Sequence, residues 1–190
     1  RESFVAHGGE AVAKIERHSH LHYRIRPFHP DYLSELEGST LCGRALEPLP
    51  FDGRQLGDLL QLVRPPIPEF TVLGGMAVDR DDIVHLLGWK KSLKSVAYVA
   101  RILLRHAADM LVHKRGTRLL MGNALIGRLL LSLKEKGVTL LMQSRATELH
   151  RDESGVVSSL TLQQGKLSRR IRVRGGVILA SGGFNRDPQR

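Results

Sequence analysis

The sequence predicts a mixed α/β fold, because the spacing of its apolar residues changes from that of helices to that of strands along the chain. Over residues 95–113 and 124–136, apolar residues recur at the spacing of an amphipathic α-helix. After Gly137, a residue typical of helix ends, apolar and polar residues alternate as they do in β-strands. Residues 176–180 are apolar without alternation, as in a strand covered on both faces. We therefore expect helices, a small antiparallel sheet and one buried parallel-type strand.

The strands expected after Gly137 are short and follow one another closely. Residues 138–142 form an apolar run that predicts a buried strand. Three further segments alternate in hydrophobicity and are separated by turn residues: 146–151, 156–163 and 170–174. Consecutive strands joined by tight turns predict an antiparallel meander. We expect the strand over residues 176–180 to end beside Gly182 and Gly183.

The first half of the chain predicts fewer regular elements. Residues 3–17 indicate an amphipathic helix interrupted at Gly8-Gly9, and residues 79–87 indicate a second helix with acidic residues in its first turn. Between them, residues 21–25 alternate as a short strand. Residues 27–68 hold seven of the eight prolines, so much of this segment must be non-repetitive. Long ordered loops often carry binding functions, and this segment is a candidate binding region.

The composition is that of an ordinary globular chain and excludes several classes of protein. Of 190 residues, 42% are hydrophobic and 25% are charged, unlike a disordered or collagen-like chain. The single cysteine, Cys42, excludes an intrachain disulfide framework and a cysteine-rich zinc site. His18, His20 and His22 alternate without a carboxylate or cysteine at useful spacing, so we expect no metal site. No apolar run approaches the length of a membrane span.

The net charge of +10 is concentrated in the second half of the chain. Residues 1–86 carry nine basic and thirteen acidic side chains, and residues 87–190 carry twenty and six. Such a basic half is compatible with nucleic acid, with an acidic neighbouring surface or with an anionic cofactor. Only Trp89, Tyr98 and Phe184 are aromatic in that half, and it has no RNA-binding or zinc-finger signature. We therefore expect no nucleic-acid partner.

The most informative residues are Ser181-Gly182-Gly183, which follow the apolar run 176–180. Such small residues let another backbone or a ligand approach within contact distance. Ligands of α/β sheets bind at the carboxyl ends of buried strands, so this end is a candidate ligand site. A plain turn from strand to loop is the alternative interpretation.

Five stretches of the chain carry a family resemblance. They are Gly116-Thr117, Gly122-Asn123-Ala124-Leu125, the helix that ends at Gly137-Val138, Ala146-Thr147-Glu148-Leu149, and residues 177–185. Together they resemble the FAD-dependent oxidoreductases of the fumarate reductase and succinate dehydrogenase flavoprotein type. The resemblance implies that residues 114–190 are part of an FAD-binding domain. It also implies that residues 1–113 are a helix- and loop-rich part that lines the substrate pocket.

FAD is the cofactor that this resemblance implies. The cofactor-binding residues that it implies are Ala146, Ala180, Ser181, Gly182, Gly183, Gly122 and Asn123. The small residues 180–183 would tolerate close approach of the cofactor. Gly122-Asn123 opens a helix whose free N–H groups suit an anion or a polar ring edge. An ordinary helix cap at Asn123 is the alternative.

The loop-rich first half adds residues that point to one branch of the group. They are Asp31-Tyr32, Gly43-Arg44, residues 50–54 and Gly74-Gly75-Met76. These look most like the 3-oxosteroid 1-dehydrogenases. The similarity implies that Tyr32 lines the substrate pocket, where its hydroxyl could donate a hydrogen bond or take up a proton. Packing of Tyr32 on a neighbouring helix is the alternative, and His29 occupies a place that is often aromatic in this branch.

The implied activity is 1,2-dehydrogenation of an apolar, 3-oxosteroid-like substrate, with hydride transfer to FAD and an electron acceptor for the flavin. A fumarate- or urocanate-type reductase is one alternative, and a non-catalytic module that binds through its basic half is another. The sequence begins at Arg1 and contains no G-x-G-x-x-G phosphate loop. We therefore expect an internal piece of a longer, cytoplasmic enzyme that is inactive by itself.

Overall fold

The structure is a computed structural model that describes residues 2–182. The chain divides into two compact units, one up to Val138 and one from Thr139 onward. The functional division expected between residues 113 and 114 stays a prediction. Each unit has its own secondary structure and is described by itself.

The first unit contains the predicted helices. They are α1 (Glu2–His18), α2 (Arg80–Leu87), α3 (Leu93–His113) and α4 (Met121–Glu135). Shorter 3-10 helices span Gly53–Leu62, Pro68–Phe70 and Trp89–Lys91. Contrary to the expectation, Gly8 and Gly9 do not interrupt α1. A glycine costs a helix only about 1 kcal/mol relative to alanine, and the good helix formers around the pair outweigh that cost.

Short antiparallel pairs connect these helices. Strand β1 (Tyr23–Ile25) pairs with β2 (Leu46–Pro48), β3 (Phe51–Asp52) pairs with β6 (Arg118–Leu119), and β4 (Thr71–Val72) pairs with β5 (Met76–Ala77). The β1–β2 pair encloses the long loop of residues 26–45, which contains Tyr32. The proline-rich segment is therefore non-repetitive over much of its length, as predicted.

The larger apolar core lies where α4 packs on the 3-10 helix Gly53–Leu62 and on the β3–β6 pair. Its buried residues are Phe51, Leu56, Leu60, Val63, Leu119, Ala124 and Leu131. Gly127 permits the close approach of α4, because a Cβ there would lie 2.8 Å from Cδ1 of both Leu119 and Phe51. A second cluster of Met76, Val78 and Ile102 joins β5 to α3. These contacts fix the first turn of α4 beside β6.

Arg128 adds a polar tie between α4 and the chain that precedes it. Its guanidinium donates to the carbonyls of His20 at 2.7 Å, Pro50 at 2.8 Å and Leu49 at 3.0 Å. The same guanidinium lies 5.4 Å from the centre of the Phe51 ring. Desolvation by burial lowers the pKa of Arg128.

The second unit is the predicted meander. Strands β7 (Arg145–Arg151), β8 (Val157–Gln164) and β9 (Leu167–Arg172) form one antiparallel sheet in the order β7-β8-β9. Ala146 of β7 lies opposite Leu162 of β8, which in turn lies opposite Arg169 of β9. The mixed helix and strand content confirms the predicted fold class.

Two strands expected around this meander do not form. Residues 138–142 are irregular and end in a turn, and residues 176–180 are irregular and largely exposed, with Ile178 at 94%. A strand requires a neighbour that accepts and donates its backbone hydrogen bonds. Among the described residues, neither segment has such a neighbour. The apolar runs were identified correctly, but their burial as strands was wrong for this chain.

The contact at Gly127 predicts a difference between two glycines of the same helix. We expect Gly127→Ala to lower the free energy of unfolding by about 1–3 kcal/mol, because the new methyl group overlaps buried Leu119 and Phe51. Gly122→Ala is the matched control, since a Cβ at Gly122 meets no atom within 4 Å. Urea unfolding of the two variants measures the difference. Equal stability of the two variants would show that α4 is not packed as described.

Candidate functional site

A cleft of about 330 Å³ opens beside the N-terminus of α4. Its walls come from the segment after the 3-10 helix Gly53–Leu62, from the β4–β5 pair and from the chain that enters α4. The lining residues are 64–67, Phe70, Gly75, Ala77, Gly116 and 118–123. Most of these side chains are apolar, so the cleft suits a largely apolar group with a few polar substituents.

Asn123 holds one wall of the cleft in place. Its Nδ2 donates to the carbonyl of Arg64 at 2.9 Å, which ties the segment of Pro65 and Pro66 to the first turn of α4. The two prolines restrict their own backbone dihedrals and so stiffen the same wall. Asn123 is not the helix cap, because the cap residue is Leu120 and makes no side-chain capping bond. The ordinary-cap interpretation of Asn123 is therefore wrong.

The backbone at the start of α4 is strained. Met121 has a φ of 48°, a left-handed conformation that a residue with a Cβ adopts at a cost of about 1–2 kcal/mol. It lies in the cleft wall, and strained backbone conformations are frequent at binding sites. Next to it, Gly122 leaves open space, since a Cβ there would meet no atom within 4 Å. Open space therefore adjoins the backbone of α4 at Gly122.

A buried carboxylate supports the opposite wall. Asp82 is fully buried and accepts hydrogen bonds from Tyr98 Oη at 2.6 Å, from Arg118 Nη1 at 2.8 Å and from the N–H of Asp79 at 2.8 Å. In return, Asp79 accepts from the N–H of Asp82 at 2.9 Å, which completes the capping box of α2. Asp82 thus joins α2, α3 and β6, and it holds Arg118 in the cleft wall.

The protonation states in this cluster follow from its bonds. Burial alone would raise the pKa of Asp82, but the hydrogen bonds from Arg118 and Tyr98 outweigh it and lower the pKa below the ordinary value. Burial and the bond to Asp82 raise the pKa of Tyr98 to about 12, so its hydroxyl remains a donor. At neutral pH, Asp82 is therefore an anion paired with the Arg118 cation, which is a structural arrangement.

A second buried carboxylate fixes the turn before β6. Asp109 of α3 accepts from the backbone N–H of Thr117 at 2.9 Å and from its hydroxyl at 2.7 Å. Arg105 Nε lies 3.9 Å from the same carboxylate, and Arg105 Nη2 lies 3.0 Å from Asp52. These bonds hold the neighbouring Gly116 at the cleft.

Two of the predicted cofactor residues, Gly122 and Asn123, lie together in this cleft. The others belong to the second unit. Ala146 is in β7, and Ala180, Ser181 and Gly182 follow the meander in an exposed, irregular stretch. Gly183 lies outside the described residues. The cofactor contacts of all seven residues stay predictions.

Tyr32 lies on the surface of the long β1–β2 loop, and it is fully exposed. Its neighbour Asp31 accepts from the backbone N–H of Thr40 and lies 2.9 Å from Arg44 Nη1. These bonds close the loop and leave the Tyr32 ring outside it. The alternative that Tyr32 packs on a helix is excluded for the described residues by this exposure.

Sequence reasoning missed Arg64, Arg118 and Met121 as cleft residues. The dipeptide Pro65-Pro66 was a usable signal for a stiff wall, because it follows a periodic segment directly. Nothing in the pattern singled out Met121, whose backbone conformation depends on how α4 is held against β6. The same dependence applies to Arg118, since its partner Asp82 is distant in sequence.

Four arginines among the twenty basic residues of the second half are bonded inside the fold. Arg115 donates to the carbonyls of Leu60 at 3.0 Å and Val63 at 2.8 Å, while Arg105, Arg118 and Arg128 make the bonds described above. Most other described basic residues of the second half are exposed, among them Arg169, Arg170 and Arg172 of β9. Over residues 2–182, no group of three potential metal ligands and no helix long and apolar enough to cross a membrane is found.

The Asp82 cluster predicts a large loss of stability on neutralisation. We expect Asp82→Asn to lower the free energy of unfolding by about 3 kcal/mol, because Arg118 loses its nearest counter-ion and keeps only Asp79, 3.9 Å from its Nη2. Asp81→Asn, which changes an exposed carboxylate 3.0 Å from Arg24, is the control and is expected to cost at most about 1 kcal/mol. Denaturant unfolding of the variants tests this.

The stability that Asp82 contributes is expected to depend on pH. The pKa of Asp82 is lowered in the folded state, so its stabilisation is present above the unfolded pKa of about 4 and is lost as the pH falls through the folded value. The difference in the free energy of unfolding between wild type and Asp82→Asn is therefore expected to be constant from pH 7 to pH 5. It is expected to shrink only below about pH 4. A gap that shrinks between pH 7 and pH 5 would contradict the lowered pKa.

Comparison with known proteins gives relatives of related activity. The chain is 35% identical over 176 residues to the 4-oxocyclohex-2-ene-1-carboxylate 5-dehydrogenase of Sinomonas cyclohexanicum, covering 93% of this chain and 30% of that protein. It is 32% identical over 192 residues to the 3-oxosteroid 1-dehydrogenase of Mycolicibacterium smegmatis, covering 99% of this chain and 33% of that protein. The chain thus spans about a third of the length of these relatives.

The fold has a counterpart among solved structures. The crystal structure of 3-ketosteroid delta1-dehydrogenase from Sterolibacterium denitrificans, in complex with 1,4-androstadiene-3,17-dione, matches with a TM-score of 0.74 at 24% identity. The match covers 95% of this chain and 33% of that chain. The FAD binding domain family matches residues 1–190, which is the whole chain. These findings confirm the resemblance inferred from the sequence and FAD as the cofactor: the chain belongs to the FAD binding domain family.

Proposed function

We propose that the protein containing this chain is an FAD-dependent dehydrogenase that removes two hydrogens from the C1–C2 bond of a 3-oxosteroid-like substrate, and that an electron acceptor then reoxidises the flavin. The names of the relatives support this, since they are dehydrogenases of cyclic oxo compounds. The observation that carries the proposal is the largely apolar cleft beside α4, within a chain of an FAD-binding family.

The residues around this cleft fit part of an FAD molecule. Gly75 and Gly122 line it, and a Cβ at either position would meet no atom within 4 Å, so the space that they leave is open to a flat ring. At the start of α4, the N–H groups of Asn123 and Ala124 donate to the carbonyl of Leu120. The N–H groups of Met121 and Gly122 donate to no partner among the described residues, and such groups suit a polar ring edge or an anion. When bound, FAD supplies the hydride acceptor, which no protein side chain can provide.

The chain's own contribution is to place these groups. We assign cofactor contacts to Gly122 and Asn123 in the first unit. In the second unit we assign them to Ala146, Ala180, Ser181, Gly182 and Gly183, whose small size would permit close approach. Asn123 has a second task, because its amide holds Arg64 and the wall that follows. Met121 presents its backbone to the cleft through a strained conformation.

Tyr32 is the residue of this chain that we propose for the substrate pocket. Its ring is free of other side-chain contacts on the loop surface, and its hydroxyl has no hydrogen-bond partner among the described residues. Beside it, Asp31 Oδ2 accepts from the N–H of Thr40 and lies 2.9 Å from Arg44 Nη1, so this oxygen is committed to contacts within the loop. A phenol can donate a hydrogen bond to a substrate oxygen or relay a proton.

Filling the cleft tests its part in the reaction. We expect Gly122→Leu in the full-length protein to lower FAD occupancy, or kcat/KM on a 3-oxosteroid, at least tenfold, because the side chain enters the open space. Gly9→Leu is the control, since it adds the same side chain at another helical glycine with open surroundings. Flavin absorbance and steady-state rates measure the effect. If both variants behave as wild type, the cleft takes no part in binding.

The proposal for Tyr32 is tested by removing one hydroxyl. We expect Tyr32→Phe to lower kcat about 100-fold or more if the hydroxyl acts in the transition state, and to raise KM alone if it only binds substrate. Tyr23→Phe, a half-buried tyrosine of β1, is the control and is expected to stay close to wild type. Steady-state kinetics at verified flavin occupancy measure both variants. Should kcat and KM of Tyr32→Phe stay within about twofold of wild type, Tyr32 lies outside the pocket.

A further inference from the structure

The solvent-exposed side of α3 is apolar over most of the length of the helix. Three leucines on this side are strongly exposed, Leu93 to 88%, Leu104 to 72% and Leu111 to 86%. They recur with a valine and with alanines at spacings of three or four residues, so together they form one stripe along the helix. We call this stripe the outer face of α3, and its residues, all of them exposed, are Leu93, Val96, Ala97, Ala100, Leu104, Ala107, Ala108 and Leu111. At a rise of 1.5 Å per residue, the outer face is about 27 Å long.

The inner side of α3 holds polar groups that are bonded within the fold. Asp109 is buried and accepts from the N–H of Thr117 at 2.9 Å. The hydroxyl of Tyr98 donates to Asp82 at 2.6 Å. A surface helix ordinarily has the opposite arrangement, with its apolar stripe on the core and its polar residues in water. Because α3 leaves a continuous apolar stripe exposed, the outer face is a candidate interaction surface.

The exposed charges around the outer face have one sign. Residues 83–114 include one acidic residue, Asp109, and it is buried. Five basic residues of the same segment are exposed, namely Lys90, Lys91, Lys94, Arg101 and Lys114. None of the ion pairs found within residues 2–182 involves any of these five. The segment therefore presents an apolar stripe with positive charge beside it and no exposed acid.

Helix α1 shows that this combination is not common to every exposed helix of the unit. It also exposes large apolar side chains, among them Phe4 and Val5. However, α1 contains Glu2, Glu10 and Glu16 among its basic residues, so its charges are mixed. The outer face of α3 instead suits a partner that is anionic and also offers an apolar layer.

The residue pattern beside α3 favours a lipid surface over a partner protein. Trp89 precedes the helix, is exposed, and has Lys90 Nζ 5.4 Å from the centre of its ring. Tryptophan is enriched at the boundary between lipid and water, because its ring is apolar and its N–H is polar. Lys94 and Arg101 are seven residues apart and so follow the same edge of the outer face. A helix with an apolar side, basic flanks and an adjacent tryptophan has the features of one that lies in the plane of a membrane surface.

We propose that the outer face of α3 binds the surface of a lipid bilayer that contains anionic lipids. The leucines enter the boundary between headgroups and acyl chains, and the helix lies along the surface without crossing it. Lys94 and Arg101 meet the phosphates of the anionic headgroups. The inference does not depend on the proposed function, because it involves neither the cleft beside α4 nor Tyr32.

The test measures binding of the full-length, FAD-loaded protein to vesicles. One set of vesicles is phosphatidylcholine alone, and the other is phosphatidylcholine mixed with phosphatidylglycerol. Cosedimentation gives the partition coefficient for each set. We expect the wild type to bind the mixed vesicles at least about tenfold more strongly than the neutral ones, and we expect added salt to weaken this preference.

A leucine variant tests the apolar part of the contact. We expect Leu104→Asp to lower the partition coefficient on both kinds of vesicle at least about tenfold, because a charge replaces a side chain that enters the apolar layer. Leu167→Asp is the matched control, since Leu167 is a leucine of β9 with a similar exposure of 76%. It is expected to bind as the wild type does.

A charge variant tests the electrostatic part and leaves the apolar stripe intact. We expect the double variant Lys94→Gln, Arg101→Gln to lower binding to the mixed vesicles about tenfold and to leave binding to the neutral vesicles unchanged. The matched control is Arg169→Gln, Arg172→Gln, which removes two exposed cations of β9. It is expected to keep the full preference for the mixed vesicles.

Several results would overturn the inference. They are a wild type that binds neither kind of vesicle, a Leu104→Asp variant that binds as the wild type does, and equal losses in the α3 variants and their β9 controls. A wild type that binds no vesicle, together with a Leu104→Asp variant that has a lower melting temperature or a smaller assembly mass, would show that protein covers the outer face instead. If Leu104→Asp does not fold, the double charge variant decides alone, because its substitutions lie beside the stripe.

Discussion

The first unit depends on a carboxylate that is removed from water. Asp82 ends the first turn of α2, receives the hydroxyl of Tyr98 from α3 and pairs with Arg118 of β6. An ionised group buried in this way is tolerated because both of its oxygens accept hydrogen bonds, one of them from a cation. The hydrogen bonds of this cluster therefore restrict α2, α3 and β6 to one relative arrangement. An apolar contact of the same size is less directional and would restrict their arrangement less.

This arrangement has a direct consequence for the cleft. Because β6 is held by Asp82 on one side and by the apolar core on the other, the chain enters α4 along a restricted path. Met121 takes its left-handed conformation on that path, and Gly122 faces open space. The bond from Asn123 to Arg64 helps to hold the opposite wall. The cleft is thus a product of the packing around it, and two of its lining residues, Arg118 and Leu119, belong to that packing.

The charges of the unit also divide into two kinds. Arg118, Arg115 and Arg128 are bonded within the fold, so they are part of its architecture despite their charge. Arg64 is exposed, and its guanidinium makes no hydrogen bond or ion pair with the described residues. The uncharged ring of Tyr32 is likewise exposed. A net charge summed over the sequence cannot separate these kinds, because it does not show which guanidinium groups are bonded inside the fold.

The sequence by itself determined the helices, the meander and the family, because these depend on local periodicity, on turn residues and on short motifs. It also identified Gly122 and Asn123, which lie in the cleft. Only the tertiary structure decided that residues 138–142 and 176–180 pair with no strand within residues 2–182, since a strand requires a partner that a local pattern does not contain. The same holds for Arg64 and Met121, whose availability and strain arise from contacts between residues far apart in sequence.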